Sequence, residues 1–378
     1  MSRRIAAATS WVPASAGEDL RAALPGWVVA RVLVLAAFAM AVAVSDDLLA
    51  GGRPPELDAG LLSWDGGWYS SIAEDGYEAL AEEALRFYPL YPLAGRWLGF
   101  LLLGRIDVAL VVIANGLALV VGALMHRLAL VETGDEALAR RAAWYTALLP
   151  ASFVLVFAYS EALMLTATVG AFLALRRGRW WWAAGLGVIA GFSRPLGVFL
   201  ALPAAIEALR GWRTVGRREL VACAAAVVGP GVGTLAYLAW SRAVFDDALL
   251  PLTIQRDFRG DFVNPVARLA EGVGELFGPE TFGDGLHLPF ALAYLALLVV
   301  TIRRWPASYS AYAAVIVAVS LSADNLNSLE RYGLNAFPLV LALATVTGTP
   351  ERNGVVTAAC GGGLVALTGL ALLGQYVP

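Results

Sequence analysis

The feature that most constrains this chain is a series of long apolar runs, which are separated by short loops carrying its arginines. Of the 378 residues, 59% are hydrophobic and only 15% are charged, and the mean hydropathy is +0.69. A soluble protein would carry about 25% charged residues. Continuous apolar runs predict helices that cross a bilayer and satisfy their own backbone hydrogen bonds, whereas transmembrane β-strands would alternate apolar and polar residues. The sequence therefore predicts an all-α, polytopic membrane protein.

We expect roughly eleven transmembrane helices in a single integral membrane domain that covers residues 1–378. A further apolar stretch, 87–103, is broken by Pro89, Pro92 and Gly95, which is typical of an interfacial or re-entrant segment. The expected spans are 27–44, 106–128, 142–158, 160–175, 180–193, 195–209, 220–241, 288–302, 306–321, 333–347 and 355–374.

The distribution of arginine predicts the orientation of the chain. Loops on one side of the expected spans, with two span-end residues, hold 17 of the 27 arginines, and the positive-inside rule places that side in the cytoplasm. The first run, 27–44, indicates an uncleaved helix instead of a signal peptide, so the N-terminus is expected inside. The long loops 45–105 and 242–287 are then expected on the outer face of the cell membrane. The arginines counted as inner are Arg3, Arg4, Arg21, Arg31, Arg127, Arg140, Arg141, Arg176, Arg177, Arg179, Arg210, Arg213, Arg217, Arg218, Arg303, Arg304 and Arg352.

Residue types exclude several kinds of site. The two histidines, His126 and His287, are expected on opposite sides of the membrane and cannot share a metal or a Ser-His-Asp triad. The two cysteines, Cys223 and Cys360, lie inside apolar runs, which indicates small buried hydrophobes. The sequence has no Gly-rich nucleotide loop and no basic tract for nucleic acid. No cofactor and no nucleic acid partner are therefore expected.

The first outer loop contains the run Trp64-Asp65-Gly66-Gly67-Trp68-Tyr69. If this segment is helical, Trp64 and Trp68 share one stripe, and Asp65 shares another with Tyr69. An acid near a helix start is stabilised as its anion and is ready to accept a proton. The alternative is an aromatic anchor at the membrane interface with an incidental acid.

Further along the same loop, Glu74 and Asp75 precede Gly76. With Asp65 they offer ligands to a hard divalent cation, so a metal is not excluded, although a solvated turn is the alternative. The run from Arg86 to Pro92 indicates a rigid amphipathic platform in the interface.

Three more charged residues are expected on the outer face, namely Glu161, Arg194 and Arg331. Arginines at membrane depth usually pair with acids, so Arg194 and Glu161 could form a purely structural bridge. The alternative is that these guanidiniums grip a phosphate, for which their planar fork is well suited. Two such arginines on the same face as Asp65 favour the second interpretation.

Taken in order, these motifs resemble the PIG-V family of mannosyltransferases, which belongs to the GT-C class of membrane glycosyltransferases. The resemblance covers about residues 27–340, and the first-loop motif is its most distinctive part. The absence of lysine fits a bacterial member. The motifs are Trp64-Asp65-x-x-Trp68-Tyr69, Gly76-Tyr77, Phe87-Tyr88-Pro89-Leu90-Tyr91-Pro92, Tyr159-Ser160-Glu161, Ser193-Arg194-Pro195 and Arg331-Tyr332.

The resemblance implies a GT-C-like fold and an enzyme that takes a sugar, here mannose, from a polyprenyl-phosphate carrier and transfers it with inversion. Asp65 matches the family's acid in the first outer loop, and it would accept the proton of the acceptor hydroxyl. Arg331 and Arg194 would offset charge on the departing lipid phosphate, which needs no metal. The acceptor is expected to be a lipid or glycan, and membrane lipids surround the protein. The residues expected to bind substrate are Trp64, Trp68, Tyr69, Arg86, Tyr88, Glu161 and Tyr332.

Two other classes stay open on the sequence. A transporter or flippase for a lipid-linked sugar would also use aromatics and arginines, but it would show polar residues at midspan and matched halves with broken helices. A non-catalytic subunit of a glycosylation complex would tolerate the loss of Asp65.

Overall fold

The computed structural model describes residues 15–48, 52–211, 216–278 and 284–378. These residues form helices, 3-10 turns and loops, with one isolated β-bridge between Phe262 and Ala323. The helices are α1 Ala16–Leu48, α2 Pro55–Ala59, α3 Asp65–Asp75, α4 Leu90–Leu101, α5 Ile106–Thr133, α6 Glu136–Leu148, α7 Glu161–Arg176, α8 Trp180–Ser193, α9 Ala201–Gly211, α10 Arg217–Phe245, α11 Leu250–Arg259, α12 Pro265–Leu276, α13 Leu288–Arg304, α14 Ala307–Leu321, α15 Leu329–Asn335, α16 Pro338–Val346 and α17 Pro350–Leu372.

The all-helical, membrane-type architecture agrees with the expected fold class. Among the described residues, five helices are long and apolar enough to cross a membrane, namely α1, α5, α10, α13 with the turn before it, and α17. The other expected spans coincide with shorter helices, such as α7 with 16 residues and α8 with 14, or with helices broken by 3-10 turns. The total of eleven spans therefore stays a prediction. Arg3, Arg4 and Arg213, which entered the orientation argument, lie outside the described residues.

The first helix begins well before the expected span, at Ala16 instead of residue 27, and this changes the position of Arg31. Arg31 lies near the middle of α1, where its Nε donates to Asn115 Oδ1 at 2.9 Å and its Nη2 donates to the carbonyl of Leu155 at 2.9 Å. The indole of Trp27 donates to the carbonyl of Asn115. Placing Arg31 at a span end was thus wrong. A half-buried cation is tolerated there because protein acceptors replace water.

Helices α8 and α10 pack at close range through glycines spaced four residues apart. Gly187 and Gly191 on α8 face Gly229 and Gly233 on α10, and a Cβ added at Gly191 would lie 1.9 Å from the carbonyl oxygen of Pro230. Small residues at this spacing let two membrane helices approach backbone to backbone. Ser193 is the last residue of α8 and Arg194 directly follows it, so this contact fixes the position at which the chain leaves α8.

The long loop 45–105 folds into α2, α3, α4 and 3-10 turns. In the apolar stretch 87–103, α4 starts directly after Pro89, and it exposes Trp97 and Phe100 to 72% and 76%. Exposed large apolar side chains fit a helix in contact with lipid. That 87–103 is an interfacial or re-entrant segment stays a prediction.

Candidate active site

Asp65 is the first residue of α3, where the helix begins abruptly after a strained residue. Trp64 has φ 57° and ψ −120°, a conformation that side chains rarely adopt, and its indole Nε1 donates to the carbonyl of Ala371 at the end of α17. This bond helps to hold the strained backbone, and strain of this kind concentrates at functional sites. Trp64 therefore precedes the helix and does not share a stripe with Trp68, which corrects the expectation from their spacing. The expectation that the acid starts a helix is confirmed.

Arg331 joins the two carboxylates that the sequence placed on the outer face. Its Nη2 donates to Asp65 Oδ2 at 2.7 Å, and its Nε donates to Glu161 Oε1 at 2.8 Å. Its Nη1 donates to the carbonyl of Pro378 at 2.8 Å, so all three nitrogens are engaged. The side chains of Arg331 and Glu161 are 4% and 0% exposed, whereas that of Asp65 is 18% exposed. Asp65 is the one carboxylate in this cluster that a substrate can reach.

Arg194 is the second cation of the cluster. Its Nη1 lies 2.7 Å from Glu161 Oε1 and 3.0 Å from Ser160 Oγ, so the structural bridge considered from the sequence exists. Its Nε, however, is buried and has no partner among the described residues. The Ser160 hydroxyl also lies 2.6 Å from the hydroxyl of Tyr69, which ties α3 to the start of α7.

The charges in this cluster shift the ionisation of their neighbours. Burial alone would lower the pKa of Arg331, but the carboxylates of Asp65 and Glu161 raise it well above its usual value. Burial raises the pKa of Tyr69 to about 12, so its hydroxyl stays protonated at ordinary pH. Burial lowers the pKa of Arg86, and the charges of Asp65 and Arg331 also act on it, which places Arg86 in the field of the cluster.

The guanidinium of Arg86 lies against two aromatic rings. Its guanidinium carbon is 3.8 Å from the ring centre of Phe258 and 4.7 Å from that of Phe87, and its Nε is buried without a partner. Cation–π contact orients the guanidinium without consuming its donors. Trp68 stacks on Phe87 at 5.8 Å with an interplanar angle of 20°. Arg86 and Trp68 thus share one aromatic wall beside Asp65.

Two predicted substrate residues make their ring contacts elsewhere. Tyr88 is buried against Tyr237 with ring centres 4.7 Å apart, and Tyr332 lies under the guanidinium of Arg259 at 4.7 Å. Neither contact is with the charged cluster, so the structure does not bring these two side chains together with Asp65.

Sequence reasoning missed two groups that support the cluster. Glu330, which precedes Arg331, is buried and lies 2.9 Å from His287 Nδ1 and 2.7 Å from the Tyr376 hydroxyl. The carbonyl of Pro378 accepts from both Arg331 and Ser328. Glu330 adjoins a motif residue, which was an available signal, but a backbone carbonyl contact leaves no trace in a sequence.

The cation site considered from Asp65, Glu74 and Asp75 does not form. Asp65 begins α3 and Asp75 ends it, which separates them by about 15 Å at 1.5 Å per residue. Glu74 is exposed and accepts a hydrogen bond from Ser70 at 3.2 Å. In the described parts of the chain, no three His, Cys, Asp or Glu side chains gather in a way that could hold a metal ion.

No protein-family model and no curated protein matches this chain. Among solved structures, it is similar to the crystal structure of the Archaeoglobus fulgidus oligosaccharyltransferase in complex with zinc and sulfate, at 14% identity and a TM-score of 0.42. The alignment covers 91% of this chain and 52% of the archaeal one, so the chain spans about half the length of that protein. A similarity of this size assigns no activity.

Proposed function

We propose that this chain is an inverting GT-C glycosyltransferase of the PIG-V type. It moves mannose from a polyprenyl-phosphate carrier to a hydroxyl of a lipid or glycan acceptor, on the extracytoplasmic face of the cell membrane. The observation that carries the proposal is a single reachable carboxylate, Asp65, set beside two guanidiniums with unused donors, Arg194 and Arg86. The sequence motifs support the mannose and the lipid carrier, and the arginine distribution supports the orientation.

Asp65 is suited to accept a proton from the acceptor. One oxygen, Oδ2, is held by Arg331, while Oδ1 has no bond among the described residues. The acceptor oxygen attacks the anomeric carbon as the bond from that carbon to the phosphate oxygen breaks on the opposite face. The proton goes to Asp65, and the electron pair of the broken bond goes to the lipid phosphate. The bond from Arg331 holds the Asp65 carboxylate in one orientation, so that Oδ1 is left for the acceptor hydroxyl.

The arginines divide into two roles. Arg331 is buried and fully engaged, so we assign it to holding Asp65 and Glu161, which departs from the phosphate role expected for it. Arg194 and Arg86 each keep a buried Nε without a partner, and these two would hold the departing phosphate. Guanidiniums bind phosphate oxygens through charge-assisted hydrogen bonds, which strengthen as negative charge develops on the leaving group.

Other groups shape the space around the sugar. Trp68 and Phe87 form the aromatic wall on which Arg86 lies. Tyr69 packs edge-on against Phe87 at 5.2 Å, and its hydroxyl lies 2.6 Å from that of Ser160. No metal step is part of this proposal, because a lipid phosphate leaves without one.

The test is to incubate the purified protein with labelled polyprenyl-phosphate mannose, glucose or galactose, each with and without candidate lipid and glycan acceptors. Release of polyprenyl phosphate together with an inverted glycosidic product supports the proposal. Movement of intact lipid-linked sugar across a vesicle membrane without release would instead indicate a flippase. Absence of both activities would fit a non-catalytic subunit.

A further inference from the structure

A groove of about 800 Å³ lies between α6 and the start of α17, far from the candidate active site. Pro350 lines this groove, whereas Ala371 on the same helix accepts the hydrogen bond from Trp64. The two residues are about 31 Å apart at 1.5 Å per residue, which is close to the thickness of a bilayer core of roughly 30 Å. With α17 crossing the bilayer, as its length and composition allow, this spacing puts the groove at the level of the headgroups in the opposite leaflet.

The groove holds an arginine with no anionic partner. Arg141 lines it and is half-buried, and its Nε donates to the carbonyl of Ala344 at 3.0 Å. Within the described parts of the chain, Arg141 forms no ion pair, and both of its terminal nitrogens lack a bond. A fixed, partly desolvated guanidinium without a counter-charge is a site for an anion from outside the chain.

The residues around Arg141 indicate which kind of anion the groove would bind. Arg140 also lines the groove, and although its Nε pairs with Glu136 at 2.9 Å, its terminal nitrogens have no bond among the described residues. Trp144 also lines the groove, and tryptophan favours the boundary between membrane and water. Ala137 and Ala358 contribute apolar surface. A free phosphate would leave that surface uncovered, whereas the glycerol and upper acyl chain of a lipid would cover it.

We propose that this groove binds the headgroup of an anionic phospholipid from the leaflet opposite the candidate active site. The phosphate lies on the terminal nitrogens of Arg141, with Arg140 beside it, and the glycerol backbone lies against Trp144. Basic pockets between transmembrane helices bind anionic headgroups in this way. The site is separate from the proposed glycosyl transfer and stands or falls independently of it.

The first test measures lipid adducts of the purified protein by native mass spectrometry, with phosphatidylglycerol, phosphatidylcholine or inorganic phosphate added. Phosphatidylglycerol should bind in preference to phosphatidylcholine, and inorganic phosphate should not compete. An arginine that contacts an anionic headgroup raises the affinity for the lipid about fivefold. The double variant Arg140→Gln with Arg141→Gln should therefore weaken phosphatidylglycerol binding roughly 25-fold. The matched control is Arg303→Gln with Arg304→Gln, two exposed arginines at the end of α13, which should change little.

A second pair of variants tests the groove without changing any charge. Gly354 lines the groove, and a Cβ added there meets nothing within 4 Å, so Gly354→Leu should fill the groove and leave the fold intact. Gly362 lies in equally open space on α17 outside the groove, and Gly362→Leu is the control. Loss of the phosphatidylglycerol adduct in Gly354→Leu alone supports the site, even if the double arginine variant fails to fold. Equal binding by both glycine variants, equal binding of phosphatidylcholine, or displacement by inorganic phosphate would overturn it.

Discussion

Removing the guanidinium of Arg331 should reveal how strongly the candidate site depends on it. Arg331→Met keeps the length of the side chain but leaves Glu161, whose side chain is 0% exposed, with Arg194 as its remaining cation. It also frees Asp65 and the carbonyl of Pro378. Breaking a buried pair by removing one partner typically costs about 3–5 kcal/mol when the remaining charge has no other partner, and the Arg194–Glu161 pair should keep this loss near the lower value.

The size of the pairing term follows from a double-mutant cycle. Glu161→Gln, Arg331→Met and the double variant are unfolded by denaturant titration in mixed micelles, and the free energy of unfolding is compared with that of the wild type. Because the two side chains share a hydrogen bond at 2.8 Å and an ion-pair contact at 2.6 Å, we expect the double variant to recover roughly 1–3 kcal/mol of the summed losses.

Arg105→Met serves as the control, because Arg105 forms an exposed pair with Asp107 and should change stability little. If Arg331→Met is no more destabilising than Arg105→Met, or if the losses at Glu161 and Arg331 simply add, Arg331 does not hold the cluster together. The division of roles among the arginines would then be wrong.

Three further predictions concern single residues. Arg194→Gln should lower kcat/KM for the lipid-phosphate donor roughly 10- to 100-fold, because a charge-assisted hydrogen bond contributes about 1.5–3 kcal/mol. Steady-state kinetics with varied donor concentration measures this change, and an unchanged kcat/KM would count against a contact between Arg194 and the phosphate. Because burial raises the pKa of Tyr69 to about 12, above about 10 in the unfolded chain, its contribution to stability is present below pH of about 10 and is lost as pH rises toward 12. Melting curves should therefore show Tyr69→Phe losing less stability than the wild type across that window; equal loss would contradict the shift. Gly191→Ala should destabilise the fold, because its Cβ would lie 1.9 Å from a backbone oxygen of α10. Gly185→Ala, on the same helix, is the control, because a Cβ there meets nothing within 4 Å. Equal melting temperatures for the two variants would refute the close packing of α8 and α10.

Much of the candidate site was predictable because local pattern and membrane topology act together. The alternation of apolar runs and loops predicts that residues of every second loop meet on one face. The structure brings Asp65, Glu161, Arg194 and Arg331 together, although Arg331 is 266 positions from Asp65. Topology assigns a face but not a partner. It therefore did not show that Arg331 is saturated by carboxylates and a carbonyl.

Two features of the fold escaped prediction for a different reason. The position of Arg31 depends on where α1 begins, and residues 16–26 carry enough charge to resemble a loop although they are helical. The strained start of α3 at Trp64 depends on a bond to Ala371, 307 positions away. Such long-range contacts override local propensity, so spacing alone placed Trp64 on a helix that it only precedes.

The most direct test of the central claim is a comparison of Asp65→Asn with Asp75→Asn in the release of polyprenyl phosphate from the labelled donor. Both changes remove one charge from α3, but Asp75 is exposed at the far end of that helix. If Asp65 accepts the proton, Asp65→Asn should lower the rate by about 10²–10⁴-fold, and Asp75→Asn should transfer sugar like the wild type. Full activity in Asp65→Asn, with the fold intact, would contradict the proposed mechanism.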